Sequence, residues 1–135
     1  MGARRVDELR KTLAHAQKAF PESGSKLLCA RCDVTKRSDV VGLVQETEAS
    51  LGGCDILVNC AGVMYFTLMK NVLWDQWDNT VDVNCKGAMY GIGAVLPGML
   101  QRGSGHIVNI TSDSQHSSTI EGSPHADPIH REIPA

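Results

Sequence analysis

Apolar positions recur along this chain at helical spacing in some stretches and as short continuous runs in others. Val6, Leu9, Leu13, Ala16 and Phe20 fall three or four apart, with Asp7 and Glu8 in the first turn, so residues 5–20 are predicted to form an amphipathic helix ended by Pro21 and Gly24. Residues 26–34, KLLCARCDV, have strand composition. Thr35 or Ser38 is placed to cap the next helix, which has one face of Val40, Val41, Val44, Thr47 and Leu51 and closes at Gly52-Gly53. The short run Ile56-Leu57-Val58, bounded by those glycines and by Ala61-Gly62, suits a parallel strand buried on both faces. Trp74, Trp77 and Val81 fall at helical spacing, the two tryptophans read as core anchors, and continue through Asn84 into a face of Ala88, Ile92, Val95 and Met99 that ends at Gly103. Pro97 is predicted to bend that helix. Residues 105–112, GHIVNITS, supply a last strand.

Strands alternating with helices in this order predict a doubly wound α/β sheet with its ligand crevice at the strands' carboxyl ends, where Asn59 and Gly62 would lie. Gly87, Gly91 and Gly93 also spell the spacing of a dinucleotide phosphate loop, with Asp113 downstream as a ribose carboxylate. The helical face running through them favours a different role, close packing of a helix against its neighbour.

Charge and composition narrow the picture. One domain is the most that 135 residues hold, and 42% apolar with 21% charged residues is ordinary for a globular chain. A net charge of −2 offers no field for nucleic acid or an anionic membrane surface. No apolar run approaches the ~20 residues that span a bilayer, so a cytoplasmic location is expected. Five cysteines, an odd number, point to reduced thiols. Cys29 and Cys32 spell C-x-x-C, but residues three apart on a strand face opposite ways and no second ligand pair follows, so no metal is expected. Arg4 and Arg5 precede the first helix, where two cations oppose the macrodipole unless an anion sits there too. That anion could be a phosphate.

Three stretches resemble, in order, the motifs of short-chain dehydrogenases/reductases. Residues 59–62, NCAG, resemble the N-N-A-G element after that family's fourth strand, with Cys60 in place of its second asparagine. Asn84 in VNCKG matches the asparagine of the catalytic tetrad, which bends a helix so that a backbone carbonyl holds a water in a proton relay. Ser112, at the end of GHIVNITS, matches the catalytic serine. Residues 115–135, with prolines, histidines and scattered polar residues around isolated isoleucines, are expected to be a disordered tail. The resemblance implies a partial Rossmann-like parallel sheet over residues 1–114 that lacks the first two strands and the C-terminal part. In the strand order 3-2-1-4-5-6-7 it supplies the third, fourth and fifth strands, with residues 2–5 at the end of the second. It further implies cofactor contacts at Arg4 and Arg5, which select the 2′-phosphate of NADP, at Asp33 and Val34 against adenine, and at Asn59, Ala61 and Gly62. Ser112 and Asn84 would be catalytic, and the substrate a small carbonyl compound or secondary alcohol.

Two departures from the family pattern matter. Its proton donor is a tyrosine with a lysine four residues on, whereas Tyr65 and Tyr90 are followed at that distance by Met69 and Ala94. Its glycine-rich phosphate loop would precede Gly2. The expectation is therefore a fragment that does not turn over as it stands. An alternative is a non-catalytic protein that pairs with itself or a full-length relative through the helix at residues 84–101, which resembles one that family members use for dimer packing.

Overall fold

The computed structural model describes residues 1–65 and 67–111; Ser112 and the tail expected at 115–135 lie outside them. In chain order the elements are β1 (Gly2–Ala3), α1 (Val6–Ala19), β2 (Ala30–Arg31), α2 (Arg37–Leu51), β3 (Ile56–Asn59), α3 (Trp74–Thr80), α4 (Gly87–Arg102) and β4 (His106–Asn109). A π-helical turn, Val81–Lys86, joins α3 to α4. Two parallel pairs result. β1 lies against β2 with Gly2 opposite Ala30 and Ala3 opposite Arg31. β3 lies against β4 with Ile56 opposite His106 and Asn59 opposite Asn109.

Partial parallel pairing is as expected, but it forms two separate pairs, and residues 2–3 keep the pairing of the second strand's end, so that strand is not wholly missing as expected. In the implied strand order, one strand position therefore separates β1 from β3. The strand expected at residues 26–34 is shorter, reduced to Ala30–Arg31. A ladder extends only as far as its neighbour. Ala30 N donates to Met1 O (3.0 Å) and Cys32 N to Ala3 O (3.1 Å), and below these the Met1 ammonium itself donates to Leu28 O (2.7 Å).

The packed core sits between β3–β4 and the helices α2 and α4. Val44, Val95 and Met99 are buried together, with Leu57 and Ile107 from the two strands against them. That arrangement corrects the reading of β3 as a strand buried on both faces. Side chains alternate along a strand, so Leu57 meets the helices, whereas Ile56 and Val58 on the opposite face are 64% and 54% exposed. The helices that bury one face are present among the described residues, and those that would cover the other are not. Trp74 is likewise no core anchor: it is 65% exposed and meets Trp77 edge-to-face at 4.8 Å.

α2 and α4 end at Gly52 and Gly103, whereas α1 ends at Phe20 and Gly24 closes the short 3-10 turn Pro21–Ser23 after it. Gly24, Gly52 and Gly103 adopt left-handed φ of 60°, 92° and 68°, conformations a side chain resists. Neither Thr35 nor Ser38 caps α2: Lys36 holds that position, without a side-chain bond, because the Thr35 hydroxyl is spent on Asp33. The glycines that mimicked a phosphate loop lie inside α4. A Cβ on Gly87 would sit 3.0 Å from Val34 Cβ and one on Gly91 2.6 Å from Asn59 Oδ1, while Gly93 faces open space. Two of the three thus serve close packing. They also shift the buried face to Gly87, Gly91, Val95 and Met99, with Ala88 and Ile92 only half-buried.

Candidate functional site

The carboxyl ends of β1, β2 and β3 converge on one cavity of about 430 Å³. Arg4 and Arg5 enter from the end of β1, Asp33 and Val34 from the end of β2, and Ala61 and Gly62 from the turn after β3. Cys32, Cys60, Val63 and Val83 complete most of the wall. A crevice outside the carboxyl ends of parallel strands, where two halves of a sheet meet, is where open α/β folds bind ligands. Six of the seven residues expected to contact a cofactor meet there. Asn59, the seventh, does not line the cavity; its side-chain amide donates to Asn109 Oδ1 (2.9 Å).

Asp33 is held in place and held ionised. Its Oδ1 accepts the Thr35 hydroxyl (2.8 Å) and the Thr35 backbone N–H (3.1 Å). These bonds, the hydroxyl's first, hold its carboxyl below the usual carboxylate range, with the cations of Arg4 and Lys36 adding to the effect. The Asp33 backbone N–H in turn donates to Asp39 Oδ2 (3.1 Å) on α2. Asp33 therefore lines the cavity from a fixed turn. Arg4 and Arg5 are exposed, and Arg5 occupies the N-cap of α1 without a side-chain cap bond. Two guanidinium groups at a helix start make an anion-attracting corner opposite that carboxylate.

Asn84 fixes the third wall. From the π turn, its Oδ1 accepts Val63 N (2.9 Å) and its Nδ2 donates to Val63 O (2.9 Å). Both polar atoms of the side chain are thus committed to the backbone of the loop that follows Gly62. The irregular helix expected around Asn84 is present as this six-residue π segment, a form often found at functional sites.

Burial, and then Asp39 and Asp33, push the Cys32 thiol up. All five cysteines are free, and among the described residues no three His, Cys, Asp or Glu side chains gather as metal ligands. A further cavity of about 490 Å³ lies at the carboxyl end of α1, against Phe20, Pro21 and Leu27; no ionisable side chain lines it. Among the described residues no helix is long and apolar enough to cross a membrane.

The chain belongs to the short-chain dehydrogenase family, whose model matches residues 2–126. It is 48% identical over 114 residues to a glycine betaine reductase of Emericella nidulans, an alignment covering 84% of this chain and 9% of that protein. The apo form of LigO from Sphingobium sp. strain SYK-6 superposes with a TM-score of 0.77 at 31% identity, over 88% of this chain and 43% of that one. An alcohol dehydrogenase from the archaeon Thermococcus sibiricus, complexed with 5-hydroxy-NADP, gives 0.73 at 28% identity over 83% and 46%. The chain thus spans less than half the length of each of these relatives.

Proposed function

We propose that this chain carries the adenosine-side half of an NADP(H) site belonging to a short-chain dehydrogenase/reductase, and that as it stands it does not reduce carbonyls. One observation carries the reading: Arg4, Arg5, Asp33, Val34, Ala61 and Gly62 reach one cavity from three different strand ends. Its donor set suits the group. Two guanidiniums match a 2′-phosphate, the Asp33 carboxylate accepts from an exocyclic amine, and the small residues Ala61 and Gly62 let a ring approach the backbone. When bound, NADP(H) supplies or accepts the hydride exchanged with a small carbonyl or alcohol. Asn84 shapes the wall through Val63, and Ser112 is assigned the hydrogen bond to the substrate oxygen.

Neither residue donates a proton at neutral pH, and a positioned acid is worth roughly 10²–10⁴-fold in rate. Titrating the reduced cofactors by their fluorescence tests the binding half. NADPH should bind about tenfold more tightly than NADH, the worth of one charge-assisted contact, and the double variant Arg4→Glu, Arg5→Glu should erase the difference. Equal affinity for both cofactors in the unaltered chain overturns the assignment. Turnover of NADPH with a panel of ketones and aldehydes overturns the inactivity.

A second reading has its own observation. Met89 and Leu100, on the outer side of α4, are 67% and 70% exposed, and Leu96 lies between them. Such a stripe suits non-catalytic pairing with a full-length relative. Co-purification with that relative, lost in Met89→Lys, tests it.

A further inference from the structure

We infer that Asn109 is a positioning residue for the nucleotide site, acting as the acceptor in an amide clamp with Asn59 that Gly91 closes from above. The inference rests on the nucleotide reading of the cavity but on different residues.

Asn59 and Asn109 are register partners at the ends of β3 and β4, and Asn59 Nδ2 donates to Asn109 Oδ1 (2.9 Å). The other amide atom of Asn59 is confined by α4: a Cβ on Gly91 would lie 2.6 Å from its Oδ1 and 3.5 Å from its Cγ. Only a glycine leaves room for the side chain in that orientation. One residue further along, Ile110 N donates to Asn59 O (2.9 Å). Asn59 is therefore tied to two successive residues of β4 and its extension, once through its side chain and once through its backbone.

The three residues after Asn59 give the clamp its purpose. Cys60, Ala61 and Gly62 line the cavity, and Val63, next after them, is gripped through both backbone groups by Asn84. Two amide clamps bracket the three-residue turn, Asn59–Asn109 before it and Asn84–Val63 after it. Loosening either lets the turn move along the strand axis, and backbone that must lie close to a ligand tolerates little such movement. Asn59 thus shapes the cavity without lining it, and Asn109 shares that role.

Three variants separate positioning from bulk stability. Asn109→Ala removes the acceptor, Gly91→Ala pushes Asn59 aside with both amides retained, and Asn109→Asp keeps an oxygen where Asn59 donates. NADPH affinity should fall about fivefold in the first two, the usual worth of one neutral hydrogen bond, and stay within about twofold in Asn109→Asp. The side-chain amide resonances of Asn59, followed by NMR without nucleotide, should shift in Asn109→Ala and Gly91→Ala and hold in Asn109→Asp. An Asn109→Ala chain that binds NADPH as the unaltered one does, or an Asn109→Asp chain as weak as Asn109→Ala, overturns the role. If no chain binds NADPH, the nucleotide reading fails by itself. Unmoved Asn59 resonances in Asn109→Ala would instead overturn the clamp.

Discussion

The two halves of this molecule contribute almost equally to the cavity and very unequally to the core. β1, α1 and β2 give Arg4, Arg5, Asp33 and Val34, yet the strands are two residues long and only Leu9 of α1 is buried. β3, α2, α4 and β4 give the glycine turn and hold four-residue strands under a cluster that includes Val95, 1% exposed. The contrast teaches where the site draws its rigidity. A turn bracketed by Asn59 and Asn84 sits on packed elements, while the arginines stand just before a helix whose apolar face is mostly open: Leu13 and Ala16 are half-buried and Phe20 is exposed. Such lightly packed elements open first.

The largest expected effect breaks the packed half. Met99→Ala should cost about 2–5 kcal/mol, the range for deleting a buried methionine, read from hydrogen exchange at Ile110 and His106, whose N–H groups bond to Asn59 O and Asp55 O. Leu9→Ala should cost less than half of that, because partly open surroundings close over the space. Equal losses would erase the distinction between the halves.

Next in size is the contact that joins them. Gly87 on α4 touches Val34 on the β2 side, so Gly87→Ala should destabilise by about 1–2 kcal/mol through overpacking. Gly93→Ala meets open space and should stabilise α4 by up to about 1 kcal/mol through helix propensity. A reversal of those signs, measured by the same exchange, would put the packing surface of α4 on the wrong side.

How much of this was legible depends on which features are local. The face of α1, its end before Pro21, and the ends of α2 and α4 at Gly52 and Gly103 were readable because spacing, proline and glycine act within a turn or two. Six pocket residues were readable through the resemblance to short-chain dehydrogenases/reductases, whose motifs lie at successive strand ends; strand geometry alone pointed to Gly62, and also to Asn59, which does not line the cavity. Burial of Ile56, Val58 and Trp74 was not, because it depends on distant elements that cover them. Nor was the cap of α2, since Thr35 had two partners within reach and Asp33 won. The Asn59–Asn109 pair was missed although a signal existed: β3 reads ILVN and β4 reads HIVN, so any parallel register that matches the two sets asparagine beside asparagine.

A smaller effect sharpens the contrast within the cavity. Because the folded Asp33 carboxyl titrates below its usual value, its contribution to stability is complete above the unfolded pKa of about 4 and is lost as pH falls through the lower folded one. Thr35→Val removes the first cause of that depression and should raise the Asp33 midpoint, followed by carbon-detected NMR of the carboxyl. An unchanged midpoint would assign the depression to the neighbouring cations instead.

On the proposed function, one nucleotide bridges a loosely packed half and a well-packed one. Hydrogen exchange with and without NADPH tests it most directly. The amides of Ala30 and Cys32, which bond across the β1–β2 ladder, should exchange fast alone and gain protection with NADPH, while those of His106 and Ile110 change little. Protection that rises only along β3–β4, or nowhere, would contradict the account.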